Sequence, residues 1–166
     1  MKITVMSRWD AVFYCYNPHA KPSVMISISD PHMQYAAAPF CSEENKVLQI
    51  LSLCFADADQ PGPDIYGYDA GIEDLMRDED AAQVAELLRT HPDTDVIVHC
   101  DAGISRSAGV AAAILKHTTG DDSSIFWRSS MPQPKTRPDS PVPSLQGPCD
   151  RSLKSEVPCG SCLNWR

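Results

Sequence analysis

The sequence predicts an α/β protein in which a central, mostly parallel sheet is flanked by helices. Strand and helix patterns alternate along the first 128 of its 166 residues, and this alternation is typical of α/β sheets. The run "DVIV" at 95–98 is continuously apolar and β-branched, as expected for a central parallel strand that is covered on both faces. The length suits one domain with a core of moderate size.

The other strands are predicted from short apolar patterns. "ITVM" at 3–6 predicts a strand that leads into a helix or turn over 7–17. In "PSVMISISDP" Val24, Ile26 and Ile28 alternate with small residues, which predicts a strand with a period of two that ends at Pro31. "NKVLQILSLCFAD" at 45–57 is a further strand candidate, and a loop rich in Asp, Pro and Gly follows it as far as Gly71.

Two helices are predicted from apolar residues at helical spacing. In "RDEDAAQVAELLRTHP" acidic residues 78–80 occupy the first turn and Pro92 ends the helix; the apolar face consists of Ala81, Val84, Ala85 and Leu88. "SAGVAAAILKH" predicts the second helix, with an inward face of Val110, Ala111, Ile114 and Leu115. "DDSSIFW" at 121–127 predicts the start of one more helix.

The composition changes near residue 129. Seven of the 14 prolines lie in the last 38 residues, which show neither a helical nor an alternating pattern. We therefore expect a folded domain over 1–128 and a mostly disordered, Pro-rich tail over 129–166. "CGSC" at 159–162 lies in this tail without a second pair at zinc-ligand spacing, so no metal site is predicted there.

Charge and cysteine usage narrow the possible partners and the compartment. The formal net charge is −8, and residues 1–128 hold nine Lys or Arg against nineteen Asp or Glu, so nucleic acid and anionic membranes are not expected as partners. No long apolar segment or secretory signal is evident, and we expect a cytoplasmic protein. The sequence has seven cysteines, and without a secretory signal they do not predict a disulfide framework. Three of them lie in apolar or mixed segments and are predicted to be free thiols: Cys15, Cys41 and Cys54.

The segment "HCDAGISRS" at 99–107 has the residues of an anion-binding loop with a reactive cysteine. Cys100 ends the "DVIV" strand, and Arg106 opens the following helix after five intervening residues. A loop between a parallel strand and a helix can aim its backbone N–H groups at an anion, and Gly103 gives the backbone freedom that the curve needs. The guanidinium of Arg106 can pair two phosphate oxygens at once, and the same positive surroundings lower the pKa of a cysteine thiol.

This segment resembles the His-Cys, five residues, Arg, Ser signature of the cysteine-dependent protein tyrosine phosphatases, and the short chain is most similar to their compact dual-specificity branch with its bacterial and phage relatives. The resemblance implies that Cys100 is the nucleophile, Arg106 the phosphate clamp and Ser107 the hydroxyl that helps the thiolate leave. His99 would brace the loop. The implied phosphate cradle is the backbone of Asp101, Ala102, Gly103, Ile104, Ser105 and Arg106, and neither a metal nor another cofactor is implied.

The family also needs a general acid on a separate loop, to protonate the leaving oxygen. By the resemblance this acid is an Asp that follows a strand upstream of the penultimate helix. Asp57 fits that description best and Asp59 is second. Asp69 is a third candidate, although no predicted strand precedes it.

The implied function is hydrolysis of a phosphate monoester, with a phosphotyrosine or phosphoserine/threonine protein as the expected substrate. Nucleotides, RNA 5′ phosphates, inositol phosphates and lipids remain alternative substrates for the same chemistry. A phosphate-binding module without catalysis and a rhodanese-like sulfur carrier are alternatives of other classes. The sequence leaves the oligomeric state open.

Overall fold

The computed structural model describes residues 1–35, 37–63 and 67–120, and within these ranges the chain alternates strands and helices. The elements are β1 (Ile3–Ser7), α1 (Arg8–Cys15), β2 (Ser23–Ser29), β3 (Val47–Cys54), β4 (Gly62–Pro63), β5 (Asp69–Ala70), a 3₁₀ turn (Ile72–Asp74), α2 (Asp78–Thr90), β6 (Asp95–Cys100) and α3 (Arg106–Thr119).

Four strands form one parallel sheet in the order β1-β6-β2-β3. The last strand in the described ranges, β6, is therefore inserted between the first two, with Cys100 opposite Ser7 of β1 and His99 opposite Ser27 of β2. This confirms the predicted α/β class with a central parallel sheet. Because all four strands run the same way, their carboxyl ends meet at one edge, where such sheets bind ligands.

Helices cover both faces of the sheet. On one face α2 and α3 pack over side chains of the inner strands, among them Val24, Ile26, Val96 and Val98. On the other face α1 packs over Met25 and Ile97. Successive strand residues thus point into two separate cores, and each fully buried aliphatic side chain contributes about 1.5–3 kcal/mol. The strand predicted from the alternation of Val24, Ile26 and Ile28 is β2, and it is buried on both sides from Ser23 to Ile28.

The predicted helices are present. The "helix or turn" after β1 is α1, whose first turn is capped by Ser7 Oγ accepting from Asp10 N. In α3 the predicted inward residues Val110, Ala111 and Ile114 are buried. In α2 the residues of the predicted apolar face, Ala81, Val84, Ala85 and Leu88, together line a groove between this helix and α3. Val84 and Leu87 are the buried aliphatic side chains of α2.

The stretch from Asp57 to Gly71, predicted as a plain loop, contains a short antiparallel pair of strands. Gly62 pairs with Ala70, and Pro63 pairs with Asp69. Asp69, which no predicted strand precedes, therefore lies within a short strand of its own, β5. Two-residue strands leave no alternating pattern for a sequence reading to detect.

Three of the cysteines in the described ranges, Cys15, Cys41 and Cys100, are thiols outside any disulfide. Cys54 is disulfide-bonded, so the prediction of a free thiol there is wrong. Cys54 ends β3, which lies at the edge of the described sheet, where a segment distant in sequence can approach it. The apolar residues around Cys54 in the sequence carry no information about a cysteine that is close only in space.

Several predictions concern residues beyond the described ranges. These are the domain boundary at 128, the helix start at 121–127, the tail at 129–166 and the "CGSC" segment. Within the part of the chain that the structure does describe, none of the helices is long and apolar enough to cross a membrane.

Candidate active site

Cys100 lies at the carboxyl end of β6, with parallel neighbours on both sides. The residue is 2 % exposed, and its Sγ is 3.2 Å from the Oγ of Ser107 in the first turn of α3. The strand and the helix thus bring the two predicted side chains together. A hydroxyl at this distance can donate a hydrogen bond to a sulfur that carries negative charge.

The chain curves through residues 101–105 between β6 and α3. Gly103 has φ of +72°, a left-handed conformation that glycine adopts without strain. A Cβ built on Gly103 would be 2.5 Å from the carbonyl carbon of Met6 and 2.6 Å from the N of Ser7. The loop is therefore wrapped closely against the end of β1, and only glycine fits at this point.

The hydroxyl of Ser105, the N-cap residue of α3, does not cap the helix. It donates instead to Oδ1 of Asp57 at 2.6 Å. The N–H groups of the first turn of α3 consequently have no side-chain cap, and together with the helix dipole they favour an anion at this end of the helix. The outer part of the loop faces solvent, with Ala102 and Ile104 both exposed.

Arg106 begins α3 but is buried, with 4 % of its side chain exposed. Its Nη1 donates to the carbonyl oxygen of Phe55 at 3.0 Å. Three carboxylates surround the guanidinium: Asp30 is 3.5 Å from Nη1, Asp101 is 3.5 Å from Nη2, and Asp57 is 3.9 Å from Nε. The Nε is buried without a hydrogen-bond partner in the described part of the chain. A buried donor left unsatisfied is costly, and an oxyanion over the loop would satisfy it.

The structure separates the three candidate acids. Asp57 follows β3 and contacts both Ser105 and Arg106, with 13 % of its side chain exposed. Asp59 is exposed and makes no hydrogen bond or ion pair within the described ranges. Asp69 is exposed in β5. Of the three, Asp57 is the carboxylate that the fold brings against the 100–106 loop.

The side chain of Asp101 has a contact network that the sequence reading missed. Its Oδ1 accepts from Arg8 Nε at 2.9 Å, and its Oδ2 accepts from the Tyr35 hydroxyl at 2.7 Å. Arg8 also stacks over the Tyr35 ring, with Cζ 3.6 Å from the ring centroid. Burial raises the pKa of Tyr35, so this phenol stays protonated and donates. Asp101 thereby links Arg8 to Arg106.

Asp30 is a second residue that the sequence reading missed. It follows β2, is 2 % exposed, and accepts from the backbone N of His32 through Oδ1. Its Oδ2 has no hydrogen-bond partner within the described residues and faces Arg106. Arg8 and Asp30 each follow a parallel strand, as Cys100 and Asp57 do, and the rule that carboxyl ends of such strands converge could have located both.

His99 is fully buried behind the loop. Its Nδ1 is 3.5 Å from the carbonyl oxygen of Cys100, and Nε2 has no partner among the described residues. Burial, helped by the positive charge of Arg8, lowers the pKa of His99 to about 4. The imidazole is therefore neutral at physiological pH, and the predicted bracing of the loop stays a prediction.

No group of three or more His, Cys, Asp or Glu side chains in the described ranges has the arrangement of a metal site. Positive charge next to Cys100 comes from Arg106, the α3 amino terminus and, through Asp101, Arg8. The arrangement combines a thiol, an anion-binding helix end and a carboxyl group, which together can support nucleophilic attack and proton transfer.

Comparisons with known proteins include a similarity to a solved structure. No family model matches the sequence, and no curated protein matches it. Among solved structures, the chain is similar to one described as "Crystal structure of Tk-PTP in the active form", with 16 % sequence identity and a TM-score of 0.41; the similarity covers 76 % of this chain and 75 % of that chain. The function is therefore argued from the residues of the site.

Proposed function

We propose that this chain is a cysteine-dependent phosphatase of the protein tyrosine phosphatase type, which hydrolyses phosphate monoesters through a cysteinyl-phosphate. One observation carries the proposal. A buried cysteine at the end of the central strand is followed by a buried arginine at the start of the next helix, and the Nε of Arg106 has no hydrogen-bond partner in the described ranges. The "HCDAGISRS" resemblance supports the same assignment.

Binding uses the 100–106 loop. The phosphate oxygens accept hydrogen bonds from the backbone N–H groups of this loop and from Arg106, which places phosphorus above Cys100. The thiolate of Cys100 then attacks phosphorus, an S–P bond forms, and the bond from phosphorus to the leaving oxygen breaks. Asp57 gives its proton to that oxygen, so a neutral alcohol or phenol departs.

The second step releases phosphate. Asp57, now a carboxylate, takes a proton from water as the water oxygen attacks phosphorus. The S–P bond breaks, and its electron pair returns to Cys100 as thiolate. The Oγ of Ser107, 3.2 Å from the sulfur, stabilises that negative charge with a hydrogen bond. The positive groups of the loop supply the charge stabilisation that both steps need.

The substrate class and the cellular setting belong to the same proposal. The resemblance supports a compact dual-specificity-like enzyme that acts on phosphorylated protein in the cytoplasm. The acidic composition of residues 1–128 makes nucleic acid and anionic membrane unfavourable partners. No cofactor is proposed.

Hydrolysis of para-nitrophenyl phosphate by purified wild type and Cys100→Ser tests the proposal. We expect turnover by wild type and its loss by at least about 10⁴-fold in Cys100→Ser, because the weaker serine nucleophile cannot form the intermediate. Cys41→Ser, which removes a thiol away from the 100–106 loop, is the matched control and should keep wild-type turnover. Retained hydrolysis in Cys100→Ser removes the nucleophile assignment.

The same preparation separates the alternatives of other classes. A phosphate-binding module without catalysis gives no burst of nitrophenol and no turnover, but binds vanadate. A rhodanese-like sulfur carrier turns over thiosulfate and leaves aryl phosphate intact. Either result contradicts the phosphatase proposal.

A further inference from the structure

Most of the basic side chains in the described ranges lie away from the 100–106 loop. Lys2 and Lys46 directly precede β1 and β3, and Lys21 lies two residues before β2, so all three lie at the amino edge. The carboxylates at that edge are Glu43, Glu44, Asp93 and Asp95. Arg89 and Lys116 lie in the last turns of α2 and α3. Because both helices run back from the carboxyl edge, these two residues also lie away from the 100–106 loop.

The carboxyl edge, which holds the loop, carries mostly carboxylates. Of the arginines in the described ranges, Arg8, Arg77 and Arg106 lie at this edge, and Arg77 already pairs with Asp80 at the start of α2. The carboxylates there, apart from the first turn of α2, are Asp10, Asp30, Asp57, Asp59, Asp69, Glu73, Asp74 and Asp101. An anionic substrate therefore approaches a predominantly negative rim with a small positive centre.

The positive centre offers few donors to an anion. The guanidinium of Arg8 is 12 % exposed and donates to Asp101, to the carbonyl oxygen of Ile28 and to Ser29 Oγ. Arg106 retains one buried N–H, at Nε, without a hydrogen-bond partner in the described ranges. That donor suits an oxygen of a single tetrahedral oxyanion.

The negative rim directly contacts the segment that carries Asp57, the proposed general acid. The backbone N of Ala56, next to Asp57, donates to the carbonyl oxygen of Asp74 at 2.7 Å. His32 stacks on Tyr68, with ring centroids 3.4 Å apart, and its Nε2 is 3.7 Å from Asp74 Oδ2.

Three carboxylates of this rim lie close enough to Tyr68 to affect its ionisation. Besides burial, the charges of Asp74, Glu73 and Asp69 raise the pKa of Tyr68. Three carboxylates are thus close enough to one phenol at this rim to oppose its ionisation, and the same field acts on the groups that flank a bound phosphate.

We propose that the physiological substrate is a phosphoprotein whose phosphorylated residue is flanked by Lys or Arg, and that phosphate esters carrying further anionic groups are rejected. The inference rests on the proposed phosphatase activity and narrows its substrate. Nucleotides, RNA ends, inositol polyphosphates and anionic lipids all present additional negative charge to the rim. A basic flank instead pairs with it, which favours encounter and lowers KM.

Matched phosphopeptides provide the test. Two series, one with phosphotyrosine and one with phosphothreonine, carry four flanking residues that are all Lys, all Gln or all Glu. At low ionic strength we expect kcat/KM to be at least about tenfold higher for the Lys peptides than for the Glu peptides, with the Gln peptides between them. The difference should shrink near 1 M salt, where the Debye length is about 3 Å.

A charge reversal on the rim makes the test specific. Glu73 is exposed, and Glu73→Lys should reduce the preference for Lys over Glu peptides at least about threefold while para-nitrophenyl phosphate turnover stays at the wild-type value. Asp93→Lys makes a comparable charge reversal in the exposed turn before β6, at the amino edge. That variant should keep the wild-type preference.

The outcomes separate the two proposals. Absence of para-nitrophenyl phosphate turnover by wild type overturns the phosphatase assignment itself. Turnover combined with equal or faster hydrolysis of the Glu peptides, a nucleotide or an inositol polyphosphate overturns the substrate inference and leaves the phosphatase assignment in place.

Discussion

Ser105 Oγ donates a 2.6 Å hydrogen bond to Oδ1 of Asp57, so a residue of the 100–106 loop holds the carboxylate that follows β3. The same Asp57 is 3.9 Å from Arg106 Nε through its other oxygen. The proposed acid and the proposed phosphate clamp are therefore fixed relative to each other by direct contacts. This relationship distinguishes Asp57 from the other two candidate acids.

Asp57→Asn should impair hydrolysis according to the leaving group. We expect kcat for phenyl phosphate to fall by about 10²-fold or more, since general acid catalysis typically contributes that much. The loss for dinitrophenyl phosphate should be much smaller, because its leaving oxygen departs without a proton. Asp59→Asn is the control. A leaving-group-dependent loss in Asp59→Asn and none in Asp57→Asn would reverse the assignment.

Arg8→Met should weaken oxyanion binding more than it slows chemistry. The change leaves the charge of Asp101 without its 2.9 Å partner and removes one positive charge beside the loop. We expect KM and the Kd for vanadate to rise about tenfold, or about 1.4 kcal/mol, with a smaller effect on kcat. Arg89→Met, on the exposed Glu86 pair of α2, should change neither constant. A fall in kcat at constant KM would contradict this role for Arg8.

Gly103→Ala should disrupt the loop, whereas Gly109→Ala should not. The first variant combines φ of +72° with a Cβ 2.5 Å from the Met6 carbonyl carbon, and we expect a loss of at least about 2 kcal/mol in the free energy of unfolding. Gly109 lies inside α3 with open space around its Cβ position, so alanine there should stabilise the fold by about 0.5–1 kcal/mol. Urea denaturation of the two variants measures both values, and equal stability would refute the close approach at Gly103.

The buried His99 should make the fold less stable in mild acid. Its pKa is lowered to about 4 in the folded state, against about 6.5 in an unfolded chain. Below pH 6.5 the imidazole of His99 therefore binds a proton in the unfolded state but not in the folded state, and the free energy of unfolding falls until the pH reaches about 4. Between pH 7 and pH 5 this contributes a loss of about 2 kcal/mol.

Denaturation of wild type and His99→Gln at these two pH values measures that contribution. The loss in wild type should exceed the loss in His99→Gln by about 2 kcal/mol. His117→Gln, at an exposed position in the last turn of α3, should behave like wild type. An unchanged pH dependence in His99→Gln would show that His99 is not the group responsible.

The sequence predicted the parallel sheet and the loop well because both leave local signals. The β-branched run before Cys100 marks a covered strand, and the spacing of Cys100, Gly103 and Arg106 reflects the geometry of one short loop. Asp57 was ranked first among the acids because it follows a strand, and the structure brings it against Arg106.

The remaining part of the site depends on contacts between distant segments, which local patterns do not report. Arg8 and Asp101 are 93 residues apart in sequence, and Asp30 meets Arg106 only because β6 is inserted beside β2. The disulfide at Cys54 was missed for the same reason. In α2 the helical spacing located the apolar face, but it did not single out Leu87, whose burial depends on packing against the sheet.

Trapping the intermediate tests the central claim most directly. Wild-type protein is mixed with an aryl phosphate, quenched in acid within milliseconds and digested, and the peptide that carries phosphate is identified by mass spectrometry. We predict one phosphate per chain on the sulfur of Cys100, and none in Cys100→Ser. Phosphate on another residue, or steady hydrolysis with no labelled peptide at any quench time, would contradict the account.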